Sequence, residues 1–518
     1  MATGSEGWTD GYTAEVAYRG NYYPGQSPCH LHLISLLQRN RPGSLEAPFT
    51  YCELGCGEGM VTNILAAVFP QARFYANDFN PAHIREARQV AAEAGLDNVT
   101  FLEHSFAALK DAPELPQFDY VTLHGVYTWI SPENRAHIVD FLNARLKPGG
   151  LVYVGYNAYP GWAALMPVRR LLADYAAWAG GSVLEQGSKA LDFAGRLHEA
   201  GATYFSLNPN AANFFANEIR HSRPEYMAHD YLGQHWQPLF HADLAADMER
   251  ARLSFLGAAN VLEHLEDYLV TPQTRPLLQS VSDRTLRETV KDFLYPRSFR
   301  RDIFVRGMLP MGAEEERRQI QEVAFVLQEA RDACKLTVDM PVGEAVLAAE
   351  VYTPLLDALA AGPQTVDDLL SVPALAALGF KRVWHALATV CALHYAAPIP
   401  PLATFSARFE SCERLNQTLI RRALDHRRRT FLVSPLQGSG IAFSLVDVLF
   451  LLAARHQHPN PAAFAFDWLV SQGETIIRGG EPLGEPEALR QELERLAAEF
   501  ITTQQPVCRR LALLPPEP

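Results

Sequence analysis

Cysteine is scarce in this sequence and follows no metal-binding pattern. Seven cysteines are scattered over 518 residues, and no two of them form a Cys-x-x-Cys pair. An odd number at low density is typical of a reducing compartment, and it excludes a disulfide framework or a structural zinc site as the basis of the fold. The histidines at 221, 229, 235 and 241 have no zinc spacing either, so we expect no metal.

Long hydrophobic runs and targeting signals are also missing. The longest apolar runs, such as Ile441–Ala454, contain Ser444 and Asp447 and are too short to span a bilayer. The N-terminal stretch has no basic region followed by an apolar core, which excludes an evident secretory signal. The sequence therefore predicts a soluble, cytoplasmic protein without membrane insertion.

Positive charge is in short supply. Lys and Arg total 45 against 58 Asp and Glu, which gives a net charge of −13. Because binding to phosphate backbones needs a basic footprint, nucleic acid is not expected as the main partner. At roughly 150 residues per domain, a chain of this length predicts two to four domains.

The most informative stretch present is residues 51–59, Tyr-Cys-Glu-Leu-Gly-Cys-Gly-Glu-Gly. Glu53 ends an apolar run, glycines follow at alternate positions, and a helical pattern begins at Met60. Glycine lets the backbone turn sharply and lie against a ligand, and the following helix N-terminus offers unpaired N–H groups. A carboxylate beside such a turn suits a ligand that is cationic or rich in hydroxyl groups.

Strand and helix patterns alternate over the first 160 residues. Strand-like segments occur at 49–54, 72–77, 99–102, 118–123 and 151–156, and two more return at 253–256 and 302–305. Alternation predicts a parallel sheet covered by helices, with a ligand site at the carboxyl ends of the strands. We expect an α/β fold with a Rossmann-like, seven-stranded sheet, interrupted by a helical insertion and followed by a mainly α C-terminal region.

These patterns predict six regions. They are a ligand-binding core at 1–162, a helical insertion at 163–250, a return to the sheet at 251–310, a connector at 311–345, a winged-helix-like module at 346–400 and a mainly helical region at 401–518.

Polar and aromatic residues cluster after the predicted strands and in the helical insertion. They are Ser105-Phe106, His124-Gly-Val-Tyr-Thr-Trp129, Tyr156-Asn157 with Pro160-Gly-Trp162, and Tyr226-x-x-His-Asp-Tyr231 with Trp236. Together with Glu53–Gly59, this combination resembles bacterial class I S-adenosylmethionine (SAM) methyltransferases that carry a methyltransferase regulatory domain. That branch includes rickettsial protein-lysine methyltransferases acting on outer-membrane proteins. The resemblance spans residues 10–310 well and the remainder loosely.

The resemblance implies SAM as the cofactor. Asp78 ends the second strand, 25 residues after Glu53, where a carboxylate can accept both ribose hydroxyls. Ser105 stands where many class I enzymes place an Asp toward adenine, and Phe106 either packs on adenine or fills the core. The expected cofactor-binding residues are Glu53, Gly55, Cys56, Gly57, Gly59, Asp78, Phe79, Ser105, Phe106, His124, Gly125 and Tyr12.

Four residues are expected to act on the acceptor. Tyr127 and Trp129 offer π-faces for a protonated or methylated amine, or they pack on the inserted helices. Asn157 is placed to orient an amine. Asp230 either receives a cationic head group or is an exposed helix charge.

The expected reaction is direct in-line transfer of a methyl group, to a protein lysine amine. Two alternatives stay open: a small metabolite or natural-product peptide as acceptor, and a SAM-responsive regulator that uses the winged-helix-like module. Such modules also serve in protein contact and dimerisation, so a homodimer is a further expectation.

Overall fold

A mixed seven-stranded sheet forms the centre of the N-terminal half. The computed structural model describes residues 20–219, 231–233, 235–478 and 481–515. The strands are β1 Thr50–Leu54, β2 Arg73–Asn77, β3 Val99–Leu102, β4 Phe118–His124, β5 Leu146–Asn157, β6 Ser254–Ala258 and β7 Phe299–Val305. Their order across the sheet is β3-β2-β1-β4-β5-β7-β6. Strands β1 to β5 pair in parallel, whereas β7 runs antiparallel to both β5 and β6.

Helices connect these strands and cover both faces of the sheet. They are α1 Pro28–Leu37, α2 Met60–Val68, α3 Pro81–Glu93, α4 Phe106–Leu109 and α5 Pro132–Arg145. Helices α3 and α5 begin in the same way: Asn80 and Ser131 cap backbone N–H groups of the first turn, and a proline follows directly. These capped N-termini determine where the loops after β2 and β4 end.

One connection differs from the predicted boundary. We expect the Lys147-Pro-Gly-Gly150 sequence to form a break between helix and strand. Instead β5 already begins at Leu146, and its pairing with β4 shifts register between Phe118 and Tyr120. An irregularity in the ladder accommodates the proline and glycines without ending the strand.

A helical segment lies between β5 and β6. It contains α6 Met166–Ala179, α7 Val183–Glu199, α8 Thr203–Leu207, α9 Pro209–Phe214, a π-helical turn at Phe215–Ile219, and α10 His241–Arg250. Its first part has a separate hydrophobic cluster, which contains Trp162, Leu172, Phe215, Tyr231 and Trp236. Three short helices before β7 complete this half: α11 Glu266–Leu269, α12 Arg275–Gln279 and α13 Arg284–Leu294.

The next region contains a small antiparallel sheet. Its elements are α14 Ala313–Gln321, β8 Ala324–Leu327, β9 Thr337–Met340, β10 Gly343–Val346, α15 Ala349–Ala361, β11 Gln364–Thr365, α16 Val366–Ser371, α17 Pro373–Ala376, α18 Phe380–Ala392 and β12 Ala396–Pro398. Strand β8 lies between β11 and β12. The expected connector at 311–345 therefore contains the central strand of this sheet, which corrects that boundary. A four-residue strand shows too few alternating positions to stand out in the sequence.

The C-terminal region packs directly on the first half. Its elements are α19 Phe405–His426, β13 Thr430–Ser434, β14 Ser439–Phe443, α20 Leu445–Arg455, α21 Pro461–Ser471, β15 Ile477–Arg478, β16 Glu481–Pro482, α22 Pro486–Glu499, a π-helical turn at Phe500–Gln504, and α23 Gln505–Arg510. Helix α19 lies along α2, and Arg422 forms ion pairs with Glu86 and Glu93 of α3.

Two further features concern the whole chain. The seven cysteines are buried and free. Among the described helices, none combines the length and apolarity needed to cross a membrane.

Candidate functional site

The glycine turn connects β1 to α2 and lies at the carboxyl edge of the sheet. The N–H groups of Gly55 and Cys56 donate to the carbonyl of Asn77, 2.8 and 3.1 Å away, which holds the turn against the end of β2. A Cβ on Gly55 would lie 2.4 Å from Val126 Cγ2, so this position has no room for a side chain. Gly57 has φ +53° and no atom within 4 Å of an added Cβ, so its backbone faces open space.

Asp78 is fixed beside this turn. Its carboxylate accepts from the backbone N–H of Gly57 and of Asn80, both at 2.9 Å, and lies 3.3 Å from Nδ1 of His83. These bonds join the end of β2 to the glycine turn. They place a buried carboxylate at the predicted ribose position.

Glu53 is the second carboxylate at this edge. Its side chain is 5% exposed and accepts a hydrogen bond from the Thr62 hydroxyl of α2. Burial, reinforced by the negative charge of Asp78, raises the pKa of Glu53 to about 8. A cationic ligand here would favour its ionised form.

A cavity of about 500 Å³ opens between these groups and the helical segment. Its cofactor half is lined by Glu53, Gly55, Cys56, Gly57, Asp78, Phe79, Ser105, Phe106, His124 and Gly125, together with Asn77, His83 and His104. Ten of the twelve expected cofactor residues thus share one cavity. Open space at Gly57, two buried carboxylates and apolar rings nearby are chemically suited to a nucleoside with a cationic side chain.

Of the remaining two expected cofactor residues, the structure describes one. Gly59 does not line the cavity. A Cβ there would lie 2.7 Å from both Ala87 and Phe101, so this glycine is required for packing, which corrects the expected ligand contact. Tyr12 lies outside the described residues.

His124 forms one wall of the cavity and is flanked by aromatic rings. The Tyr23 ring stacks on it with centroids 3.7 Å apart, and the Tyr153 hydroxyl lies 2.8 Å from its Nδ1. Burial and the nearby Arg301 lower the pKa of His124 to about 3. The imidazole is therefore neutral at physiological pH and too weak a base to remove a proton from an alkylammonium group.

The other half of the cavity is aromatic. Trp129, Trp162, Tyr231 and Trp236 all line it. The Trp236 ring is edge-on to Trp162 and Trp129, with centroids 4.7 and 6.2 Å apart. In the described part of the chain, the three buried indole N–H groups make no hydrogen bond, and edge-to-face packing gives these rings a favourable arrangement.

Backbone hydrogen bonds bring Trp236 to this position. The N–H of Gln237 donates to the carbonyl of Thr128 at 2.8 Å, and that of Leu239 donates to Asn157 at 3.0 Å. The segment that follows Trp236 thus pairs with the ends of the loops after β4 and β5. Residues more than 70 positions apart in sequence form one wall as a result.

Asn157, the last residue of β5, also lines the cavity. Its Nδ2 donates to the Thr128 hydroxyl at 3.2 Å, which fixes the amide. No bond to its Oδ1 is present among the described residues, and the residue lines the cavity. The amide oxygen can therefore accept a hydrogen bond from a bound amine.

Tyr127 does not line the cavity. It is fully buried among Ile138, Leu142 and other core residues, and its hydroxyl donates to Asp247 at 2.8 Å. Burial and the Asp247 charge raise its pKa. The expected contact of Tyr127 with the acceptor is therefore corrected to a structural role. Asp230 lies outside the described residues.

Sequence reasoning missed several wall residues. Tyr23, Asn77, His83 and Phe299 line the cavity but belong to no catalytic pattern. Tyr23 belongs to a tyrosine-rich stretch before the first strand, for which the sequence predicts either that the aromatic rings cover the cofactor pocket or that they dock the terminus. For His83 and Phe299 the sequence contains no signal, since only folding places them at this edge.

A network of buried charged residues holds Tyr156, the residue before Asn157 of the cavity wall. The Tyr156 hydroxyl donates to Asp302 at 2.6 Å, and His241 Nδ1 lies 2.8 Å from the same carboxylate. Arg300 reaches Asp302, Asp292 and Glu288 at 2.9, 2.7 and 3.0 Å. Although burial opposes ionisation, Arg300 and His241 hold the pKa of Asp302 well below its usual range.

The sheet order, the glycine turn with Glu53, and Asp78 at the end of β2 together define a class I SAM-dependent methyltransferase. Comparison with known proteins is consistent with this class. Residues 52–150 match the family model of a methyltransferase domain, and residues 223–306 match that of a predicted methyltransferase regulatory domain.

Relatives extend the match to the whole chain. An uncharacterized protein of Synechocystis sp. is 35% identical over 506 residues, which is 98% of this chain and 99% of the relative. One of Rickettsia prowazekii is 26% identical over 292 residues, covering 55% and 51% of the two chains. The solved structure of PKMT2 from Rickettsia typhi in complex with AdoHcy has a TM-score of 0.68 at 17% identity, covering 96% of this chain and 99% of that one.

The chain belongs to the SAM-dependent methyltransferases that carry a methyltransferase regulatory domain. The matched regulatory residues include Tyr231, Trp236 and Phe299, all of which line the cavity.

Proposed function

We propose that this methyltransferase acts on a protein lysine amine. The observation that carries the proposal is the aromatic half of the cavity, in which Trp129, Trp162 and Trp236 line the same space as Asn157. SAM supplies an electrophilic methyl group when bound. The residues of the chain determine which nucleophile reaches it.

The aromatic walls favour an amine in its reactive form. A lysine amine has a pKa near 10.4 in water, so it carries a proton at neutral pH. A desolvated, apolar site lowers that pKa and favours the uncharged nucleophile. Asn157 Oδ1 is available to accept one N–H and hold the lone pair in a fixed direction. Such alignment contributes several kcal/mol to catalysis.

A separate general base is not part of this proposal. His124 lines the cavity, and its lowered pKa leaves it too weakly basic. Removal of the amine proton is therefore assigned to solvent before the acceptor enters the aromatic half. Rigid indole walls would admit the narrow alkyl chain of lysine.

The test uses SAM with a radiolabelled methyl group and a lysate of the source cell. Label in a protein band that resists acid and base supports N-methylation, and mass spectrometry then locates the modified lysine. Label confined to small molecules would overturn the lysine proposal in favour of a metabolite acceptor. Base-labile label on protein would indicate a carboxylate acceptor and would also overturn it.

Variants test the assigned residues. We expect Asn157→Ala and Trp236→Phe to lower turnover about tenfold or more, equivalent to about 1.4 kcal/mol, while SAM affinity stays within about threefold. Trp178, 78% exposed on α6, provides the matched control, and Trp178→Phe should leave turnover unchanged. Full turnover in both site variants would remove these roles.

A further inference from the structure

The N-terminal segment Gly20–Gln26, here called the cover segment, closes the cofactor half of the cavity. Gly20, Asn21, Tyr23 and Gln26 all line the cavity. Tyr23 makes the closest ring contact, stacking on His124 with an interplanar angle of 24°. Because the imidazole is neutral, this is a stack of two uncharged rings. The position of Tyr23 thus sets how far the cavity is closed.

Tyr22 faces the opposite side of the segment. The backbone at Tyr23 is extended, with φ −122° and ψ 100°, and adjacent side chains of extended backbone point in opposite directions. Tyr22 is 6% exposed, and its hydroxyl accepts a hydrogen bond from Ser439 at 3.2 Å. Its ring also lies against Phe431, with centroids 6.3 Å apart.

The hairpin formed by β13 and β14 fits closely over Tyr22. A Cβ on Gly440 would lie 3.0 Å from Tyr22 Cγ and 2.8 Å from Ile64 Cδ1 of α2. The lack of a side chain at this position lets the hairpin contact both the cover segment and the helix after the glycine turn. The hairpin therefore packs against two elements that form the cofactor half of the cavity, the cover segment and α2.

A second bond holds the adjacent residue of the cover segment. The Arg429 guanidinium donates to Asn21 Oδ1 at 2.7 Å, just before β13 begins. On the cavity side, the Gly20 N–H donates to the Glu58 carboxylate of the glycine turn at 3.2 Å. The cover segment is thus held from outside by the C-terminal region and from inside by the cofactor loop.

We propose that Arg429 and Ser439 are positioning residues for cofactor binding. Neither lines the cavity, yet Ser439 holds Tyr22 and Arg429 holds Asn21, the two residues before Tyr23, and these bonds keep the Tyr23 ring over His124. This gives the C-terminal hairpin a role in the cofactor site. The proposal depends on SAM binding alone and is independent of the lysine acceptor proposed above.

The experiment measures SAM affinity by calorimetry in the full chain. We expect Arg429→Ala/Ser439→Ala to raise the Kd for SAM about five- to tenfold, because two hydrogen bonds that favour the closed segment are lost. Amide hydrogen exchange at residues 20–26 should accelerate in the SAM-free protein. Ser439 is buried, so Ser439→Ala can impair folding, whereas Arg429 is exposed. The single variant Arg429→Ala should therefore show part of the rise in Kd and part of the faster exchange on its own.

Arg427→Ala is the matched control, because exposed Arg427 precedes the same hairpin and pairs with Glu474, away from the cover segment. It should leave both Kd and exchange unchanged. Tyr23→Ala should weaken SAM binding at least as much as the double variant. An unchanged Kd in the double variant would overturn the proposal, whether or not Tyr23→Ala weakens binding. Failure of methyl transfer to lysine with these binding effects intact would count against the acceptor proposal only.

Discussion

Glu53 shows how one buried group can link cofactor binding to pH. Its carboxyl group lies at the cavity wall with a pKa of about 8, against an ordinary value of 4.5. The ligand-free folded protein therefore keeps this proton across that pH window, whereas the unfolded chain has lost it. Since the folded state binds the extra proton, the free energy of unfolding contributed by Glu53 falls as pH rises from about 4.5 to 8.

We predict that Glu53→Gln removes this pH dependence and lowers SAM affinity. SAM is cationic, so binding favours ionised Glu53 and affinity should increase toward pH 8, by at most about tenfold per pH unit. Calorimetry at pH 6, 7 and 8 measures how the SAM affinity of the wild type and of the variant changes with pH. Because the amine of SAM titrates equally in both experiments, the difference between the two slopes is due to Glu53. Parallel slopes for wild type and variant would exclude Glu53 as the titrating group.

At the level of secondary structure, β7 and α13 stabilise the wall that holds Asn157. Arg300 of β7 is 1% exposed and bridges Glu288 and Asp292 of α13 to Asp302. Asp302 in turn accepts from Tyr156, the residue before Asn157. The antiparallel strand of the sheet thereby fixes the end of β5.

Arg300→Met should destabilise the fold by about 3–5 kcal/mol, because it removes the cation that three buried carboxylates share. Urea unfolding at pH 7 measures the loss. The pKa of Asp302 is lower in the folded protein than in the unfolded chain. Its contribution to the stability of the wild type is therefore fully present above the unfolded pKa and is lost as the pH falls. Arg301→Met, at the exposed neighbour, is the control, and an equal loss in both variants would contradict the role of the buried network.

At the scale of the whole molecule, the two halves of the chain share one hydrophobic core. The largest cluster contains Tyr22 and Ile64 from the first half together with Leu415, Phe443 and Leu514 from the second. Ion pairs add to this contact, because Arg421 and Arg422 of α19 both pair with Glu93 of α3. The C-terminal region is therefore built onto the methyltransferase sheet.

We predict a single cooperative thermal transition for the full chain, because a shared core couples the stability of its parts. SAM at about 100 times its Kd should stabilise both halves by about 2.7 kcal/mol. Calorimetry together with hydrogen exchange of α2 and α19 checks this. A separate, SAM-insensitive transition of residues 405–515 would contradict the prediction.

Local patterns predicted most of the sheet and the cofactor half of the cavity. The class of fold could be predicted because alternating strands and helices are short-range signals. Glu53, Gly57 and Asp78 lie at or just after the carboxyl ends of strands that meet at one edge of the sheet. The interpretation of Tyr127 failed because an aromatic loop residue can face either the cavity or the core. In the cover segment, Tyr23 stacks on His124 of the cavity wall, and Tyr22 packs against the C-terminal hairpin.

The sequence by itself determined the methyltransferase class, the SAM cofactor and the edge of the sheet where it binds, because each rests on residues close together along the chain. The aromatic half was decided only by tertiary structure. Trp129, Trp162 and Trp236 come from three separate loops, and backbone pairing of Gln237 and Leu239 brings them together. Long-range contacts of this kind depend on the packing of the whole fold, which no local pattern of residues encodes.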